Sequence, residues 1–165
     1  MNQPMWTTTI NTPLGGLRAF ATAQGLRAIL WPEQALADEF APAQSSASQP
    51  TLHSLALQLG EYFAGARRGF DLPLDPVGTQ FQRMAWAQLQ RIPFGKTQTY
   101  GAQAAAIGRP NAARAVGAAN GRNPLSIVVP CHRVVSASGS LTGFAGGVQT
   151  KAWLLDHERR VLAGG

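Results

Sequence analysis

Residues Ile127–Val135 read Ile-Val-Val-Pro-Cys-His-Arg-Val-Val and hold the only cysteine of the chain, Cys131. Apolar residues lead into a proline, the proline bends the chain, and a thiol follows with an imidazole beside it. The run then turns apolar again. A lone cysteine is commonly a small buried hydrophobe, and that reading stands beside a chemical one. Cysteine reacts as the thiolate, which nearby cationic or hydrogen-bonding groups favour. His132 is a candidate for that role, although neighbours in sequence need not be partners in space.

Working outward, residues 79–120 read as helices separated by turns. Thr79 can cap a helix whose Phe81, Met84, Trp86 and Leu89 face inward, ending before Ile92-Pro93-Phe94-Gly95. Thr99 can cap a short second helix through Ile107. Gly108-Arg109-Pro110 makes a turn, with Pro110 suited to a first helical turn. A third helix is expected from about residue 111 to 120, stopped at Asn120-Gly121. Two short helices joined by a tight Gly-containing turn outline a helix-turn-helix. The third helix is built of small residues: Ala112, Ala113, Ala115, Gly117, Ala118 and Ala119, with Arg114 the one long polar side chain in its middle. Either it packs tightly against protein, or its slimness suits the minor groove of DNA, where a side-chain wedge replaces base reading. A final helix is expected over residues 151–162.

The first half reads differently. Residues 6–10, 17–23 and 26–31 have strand character, broken by turns at 12–16 and 24–25. Residues 32–50, rich in Ala, Gln, Ser and Pro, are expected to form a loose loop. Residues 51–65 carry Leu52, Leu55, Leu57, Leu59, Tyr62 and Phe63 on a helical pattern. Asp71–Pro76 is a stiff linker and the best domain boundary.

Charge divides along the same line. Residues 1–75 hold four arginines against six acids, a net of −2; residues 76–165 hold ten basic residues against two acids, a net of +8. From residue 76 to 155 there is no carboxylate side chain at all. A solvated basic face would mix signs, so this distribution points to a polyanion, with nucleic acid the first candidate. One cysteine excludes an internal disulfide and any multi-cysteine zinc site, and the three histidines are scattered. No membrane-spanning stretch or leader is visible. A cytoplasmic protein without metal or cofactor is expected.

Pro130-Cys131-His132-Arg133-Val134-Val135, preceded by Asn123-Pro124 and followed by Lys-x-Trp-Leu-Leu-x-His-Glu at 151–158, resembles the active-site signature of the O6-alkylguanine-DNA alkyltransferases. The resemblance runs over residues 79–158 without an obvious gap and more loosely over the N-terminal half. It implies an α/β N-terminal domain of ribonuclease-H-like topology at 1–76 and a mainly α, winged-helix-like domain with a helix-turn-helix at 77–165. It implies that Cys131 takes the alkyl group from O6-alkylguanine, and probably O4-alkylthymine, in double-stranded DNA, once per molecule. His132 would activate Cys131 through a water, Glu158 would orient His132, and Asn123 would tie its turn to the Cys131 segment. Arg114 would take the space of the flipped nucleotide, and Tyr100 would disfavour the unflipped phosphate geometry and donate its hydroxyl to guanine N3. Gly101, Arg109, Ala112 and Ala137 complete the implied DNA contacts. Val134, Phe144, Ala145, Gly146, Ser126 and Thr142 line the implied pocket. Phe144 stands where the family often has Tyr, which keeps ring packing and removes a hydroxyl. A monomer is expected. A binding module of the same build would lack Cys131, a helix-turn-helix regulator would leave Cys131, His132 and Glu158 idle, and a cysteine hydrolase would turn over without DNA.

Overall fold

The computed structural model describes residues 3–164. The chain forms two compact units, one running through Val77 and the other beginning at Gly78.

In the first unit, β1 (Trp6–Thr12), β2 (Gly15–Thr22) and β3 (Gly25–Leu30) make an antiparallel meander. The β-branched run Thr7–Ile10 favours the extended backbone. Thr12 shapes the first turn: its Oγ1 donates to Gly15 O at 2.8 Å and accepts from Leu14 N at 3.0 Å. At the second turn Gly25 has φ +151°, and a Cβ there would lie 2.5 Å from Pro73 O. The close approach that requires glycine is made by residues 73–75, which run beside β3. Leu26 N donates to Pro73 O and Asp75 N to Leu26 O, both at 2.8 Å, and Arg27 pairs with Asp75 at 2.8 Å. The stretch that reads as a linker is therefore tied to the sheet.

Residues 32–50 depart from the loose loop expected of their composition. They contain a 3-10 turn, Asp38–Phe40, and a short strand β4 (Gln44–Ser45) pairing parallel to β1, so the sheet order is β3-β2-β1-β4. A single apolar anchor organises them: Phe40 is buried, its ring centroid 4.6 Å from that of Phe20. Helix α1 (Pro50–Phe63) buries Leu52, Leu55, Leu59 and Tyr62 at helical spacing. Leu57 falls out of phase with that stripe and is exposed.

The second unit is mainly helical. Thr79 and Gln82 form a capping box on α2 (Gln80–Leu89), and Thr99 caps α3 (Tyr100–Ala106), accepting from Ala102 N at 3.1 Å. Helix α4 (Ala113–Gly121) begins later than its sequence suggests: Pro110 lies in the preceding turn, and Ala112 holds the N-cap position without a side-chain bond. It also runs on through Gly121, ending at Arg122 with φ −102° and ψ 7° rather than at a left-handed glycine. Two-residue strands β5 (Gln98–Thr99) and β6 (Val134–Val135) pair in parallel. Helix α5 (Val148–Leu162) closes the unit. Among the described residues no helix is long and apolar enough to cross a membrane.

Candidate active site around Cys131

The segment from Asn123 to Cys131 is a stack of tight turns. Asn123 Oδ1 accepts from Leu125 N at 3.0 Å, its Nδ2 donates to Val129 O at 2.8 Å, and Val129 N donates to Leu125 O at 2.8 Å. Within this loop Ile127 adopts φ +76°. For a β-branched residue that is a strained backbone, costing on the order of 1–3 kcal/mol. Burial of Ile127 at 1% exposure and the Asn123 bridge hold it there. Pro130 then takes φ −82°, ψ 66°, and Cys131 N donates to Val129 O at 2.8 Å, an inverse γ-turn. It delivers Cys131 to the first position of a 3-10 turn, Cys131–Arg133, that runs directly into β6.

Cys131 is 5% exposed, and burial pushes its thiol above the ordinary value of 9.0; Asn123, the Lys151 charge and Ser126 oppose that rise. At neutral pH it is a thiol, so a nucleophilic role requires a base. His132 stands beside it with 0% exposure. Its Nε2 lies 2.7 Å from Glu158 Oε2. Burial drives the His132 pKa below 6.5, outweighing Glu158, so the ring is neutral. A carboxylate only accepts, so Nε2 carries the proton and Nδ1 presents its lone pair. That Nδ1 is buried and has no hydrogen-bond partner among the described residues. An oriented imidazole with one open nitrogen is the geometry of a general base.

Glu158 is held more firmly than its sequence suggests. Besides His132 it accepts from Arg133 Nε at 2.9 Å, Arg133 Nη2 at 3.0 Å and Gly95 N at 2.9 Å. Burial alone would raise its pKa; His132 and Arg133 more than reverse this and hold it well below the carboxylate range. Arg133 also donates to Ile92 O at 2.8 Å and lies over the Phe94 ring. The Arg133–Glu158 fork was not foreseen, and its position inside the signature was the available signal. His157, next in sequence to Glu158, is buried and stacks on Trp153 with 5.2 Å between centroids.

Lys151 is a second residue whose role sequence reasoning missed. It is 1% exposed, and its Nζ donates to Thr142 O at 2.9 Å while lying 5.8 Å from the Tyr100 ring centroid. Tyr100 Oη donates to the same Thr142 carbonyl at 3.2 Å. The 141–147 loop is thus pinned at one carbonyl from two sides. Among the expected pocket residues, Ser126 and Val134 are buried, Phe144 and Gly146 half-buried, and Thr142 and Ala145 exposed. Ser126 acts on the Cys131 thiol by hydrogen bonding.

The residues expected to meet DNA lie at the surface: Gly101, Arg109, Arg114 and Ala137 are exposed, Tyr100 and Ala112 half-exposed. Helix α4 relates them to the thiol. A Cβ on Gly117 would sit 3.6 Å from the Tyr100 ring, in ordinary contact, and one on Gly121 would lie 3.9 Å from Gly143 O. Residues 114, 117 and 121 share a helix face. Arg114 therefore stands at the free end of a stripe that passes Tyr100 and reaches the 141–147 loop.

Residues 80–160 match the family described as 6-O-methylguanine DNA methyltransferase, DNA binding domain, and residues 5–76 match its ribonuclease-like domain. The chain belongs to the O6-methylguanine-DNA methyltransferase family. A methylated-DNA–protein-cysteine methyltransferase of Shigella flexneri is 48% identical over 93% of this chain and 95% of its own. One from Mycolicibacterium paratuberculosis is 59% identical over 62% of each chain. The crystal structure of the Mycobacterium tuberculosis O6-methylguanine methyltransferase superposes with a TM-score of 0.87 at 41% identity, covering 94% of this chain and 93% of that one. The same M. tuberculosis protein in complex with DNA matches equally, at 0.87 and 41% over the same shares. These comparisons establish the two-domain methyltransferase fold, a sheet domain followed by a helical DNA-binding domain.

The buried ionisable groups set the pH limits of stability. Unfolding frees His132 to bind a proton that the native state refuses, so stability falls as pH drops below about 6.5. One such proton changes stability by about 1.4 kcal/mol per pH unit. Glu158 adds to the acid loss below 4.5. Cys131 ionises above 9.0 once unfolded while the native thiol resists, so stability falls again on the alkaline side. Thermal melts across the pH range should show a plateau bounded by 6.5 and 9.0. A Cys131→Ser variant should keep the acid limb and flatten the alkaline one; an unchanged alkaline limb would contradict the assignment.

Proposed function

We propose that this protein repairs DNA by moving an alkyl group from O6-alkylguanine, and from O4-alkylthymine, in duplex DNA onto its own Cys131. The single observation that carries this is His132, next in sequence to the lone thiol, oriented by Glu158 through Nε2 and left with an open, buried Nδ1. His132 takes the Cys131 proton through an intervening water. Sγ attacks the alkyl carbon, the carbon–O6 bond breaks, and guanine leaves with the bonding pair. Tyr100 exchanges its bond to Thr142 O for one to guanine N3, supplying the hydrogen bond a departing purine anion needs. The product is a thioether, which has no polar bond for water to attack, so each molecule acts once.

O6 is inaccessible in a stacked pair, and the base must be extruded. The α3–α4 helix-turn-helix enters the minor groove, Arg114 occupies the vacated space, and Gly101, Arg109, Ala112 and Ala137 follow the backbone. Val134, Ala145 and Gly146 meet the guanine edge, Phe144 packs on its face, and Asn123 with Ser126 keeps the thiol segment in place. The order β3-β2-β1-β4, with β4 parallel to β1, supports a ribonuclease-H-like reading of domain 1–76, and the β5–β6 pair against α3 supports a winged-helix-like reading of domain 77–165. The protein acts as a cytoplasmic monomer without metal or cofactor.

Mixing the protein with duplex bearing one O6-methylguanine tests this. The intact mass should rise by one methyl per molecule, on the peptide containing Cys131, and then stop. Multiple turnover, or a methyl elsewhere, would refute it.

Thr142 sets the size of the alkyl group accepted. It is β-branched in a loop otherwise rich in glycine, and its carbonyl is pinned by Lys151 and Tyr100. Thr142→Gly should raise the O6-benzyl rate over the O6-methyl rate by roughly tenfold or more, the scale on which a misfit of one or two methylenes operates. An unchanged benzyl-to-methyl ratio would remove Thr142 from this role.

A further inference from the structure

Helix α4 is short of packing surface. Of its nine residues only Val116, Ala119 and Asn120 are buried, and Val116 is the one large apolar side chain among them. A helix face made of alanine and glycine has shallow ridges, so apolar contact alone leaves its rotation and axial position weakly specified. Directional bonds are present where that specification is missing. Gln103 of α3 is 0% exposed and Asn120 of α4 is 3% exposed. Their amides pair reciprocally: Asn120 Nδ2 donates to Gln103 Oε1 at 2.7 Å, and Gln103 Nε2 donates to Asn120 Oδ1 at 3.0 Å. Gln103 Nε2 also donates to Ala85 O of α2 at 3.1 Å, and Trp86 Nε1 of α2 donates to Ala119 O at 2.8 Å. One amide pair thus joins α2, α3 and α4 inside the unit. Their side chains bond to each other and to Ala85 O rather than to the thiol network, and the chemistry of alkyl transfer gives neither amide a task. The Asn120 backbone O accepts from Asn123 N at 3.1 Å, a bond that a side-chain substitution leaves in place.

We propose that the buried Gln103–Asn120 amide pair is the register pin of the helix-turn-helix, the positioning device that aligns Arg114 with Tyr100 for base extrusion. Two paired amides in an apolar interior tolerate only the arrangement that satisfies both, because a slipped helix would leave buried donors and acceptors without partners. An apolar pair of similar volume would fill the same space with many near-equivalent arrangements. Buried polar pairs act in this way where they fix helix register. Asn120 lies on the inner face of α4 and Arg114 on the exposed one, so the pin sets where Arg114 points without approaching DNA. The inference rests on the repair function proposed above.

The test replaces both amides together, Gln103→Leu with Asn120→Leu, so that no buried polar group is stranded. The thermal midpoint should stay close to the parent's. Reaction with free O6-benzylguanine, which needs no extrusion, should stay within about twofold of the parent, while repair of O6-methylguanine in duplex should slow by about ten- to a hundredfold, the scale set by small misplacements remote from the chemistry. The exchanged pair, Gln103→Asn with Asn120→Gln, retains two facing amides and should recover most of the duplex rate. Equal duplex and free-base rates in the double leucine variant would overturn the proposal. So would its failure to fold, which would make the pair a stability element, and so would an exchanged pair as slow as the leucines. A parent that transfers no alkyl group at all would instead refute the repair function and is read separately.

Discussion

Cys131→Ser should abolish alkyl transfer while leaving binding to duplex DNA intact. The hydroxyl is a far weaker nucleophile than sulfur toward a saturated carbon, and an alcohol gives up its proton to an imidazole far less readily than a thiol does. The chain has no second cysteine to substitute. Serine also fits the site, because the γ-turn at Pro130 and the Asn123 bridge are made by backbone and by Asn123 rather than by sulfur. The surface implied to meet DNA is likewise untouched. The measurement pairs a gel-shift titration on O6-methylguanine duplex with intact mass after long incubation. Unchanged affinity with no added methyl is the expected pair of results. A variant that still gains a methyl would place the acceptor elsewhere, and one that loses DNA affinity would tie the thiol segment to the binding surface.

Arg114→Ala should slow repair in duplex by roughly a hundredfold and leave reaction with free O6-benzylguanine nearly unchanged. Extruding a base costs a few kcal/mol of stacking and pairing, and a side chain that fills the gap recovers part of it. Two to three kcal/mol of lost support corresponds to roughly a hundredfold in rate, since about 1.4 kcal/mol is tenfold. Arg114 is exposed at the end of the α4 stripe that runs past Tyr100, whereas Cys131, His132 and Glu158 are buried. Its removal should therefore spare the chemical step. The ratio of the two rates is the readout. Equal losses on both substrates would assign Arg114 to catalysis or to folding instead.

The site divides by the range of the interactions that build it. Thr79 and Thr99 announced their helices because capping is a matter of residues three apart, and the structure adds Gln82 as the second half of a capping box at Thr79. The three strands of the meander and the apolar stripe of α1 were legible for a similar reason, periodicity within a few residues. The Cys131 signature, with Asn123 before it and Glu158 after it, marked the candidate site residues that the fold brings into one buried network. Leu57 was read into the α1 stripe although it lies out of phase. The start and end of α4 were misplaced because its small residues give no cap, and a neighbouring turn from Asn123 ends it. The order in residues 32–50 was missed because Phe40 is anchored by Phe20, twenty residues away in β2.

By itself the sequence determined the division of charge, the capped helices, the candidate nucleophile and the family to which the site is similar. These follow from residue types and short spacings. Only the tertiary structure decided that His132 is neutral with Nδ1 open, that Arg133 and Gly95 hold Glu158, and that Lys151 and Tyr100 converge on the Thr142 carbonyl. It alone showed the Gln103–Asn120 pair and the strained Ile127. Each depends on burial, or on a partner too remote for spacing to reveal: burial displaces the proton affinities of the Cys131 thiol and the His132 imidazole, and the His132 and Arg133 partners displace that of the Glu158 carboxylate.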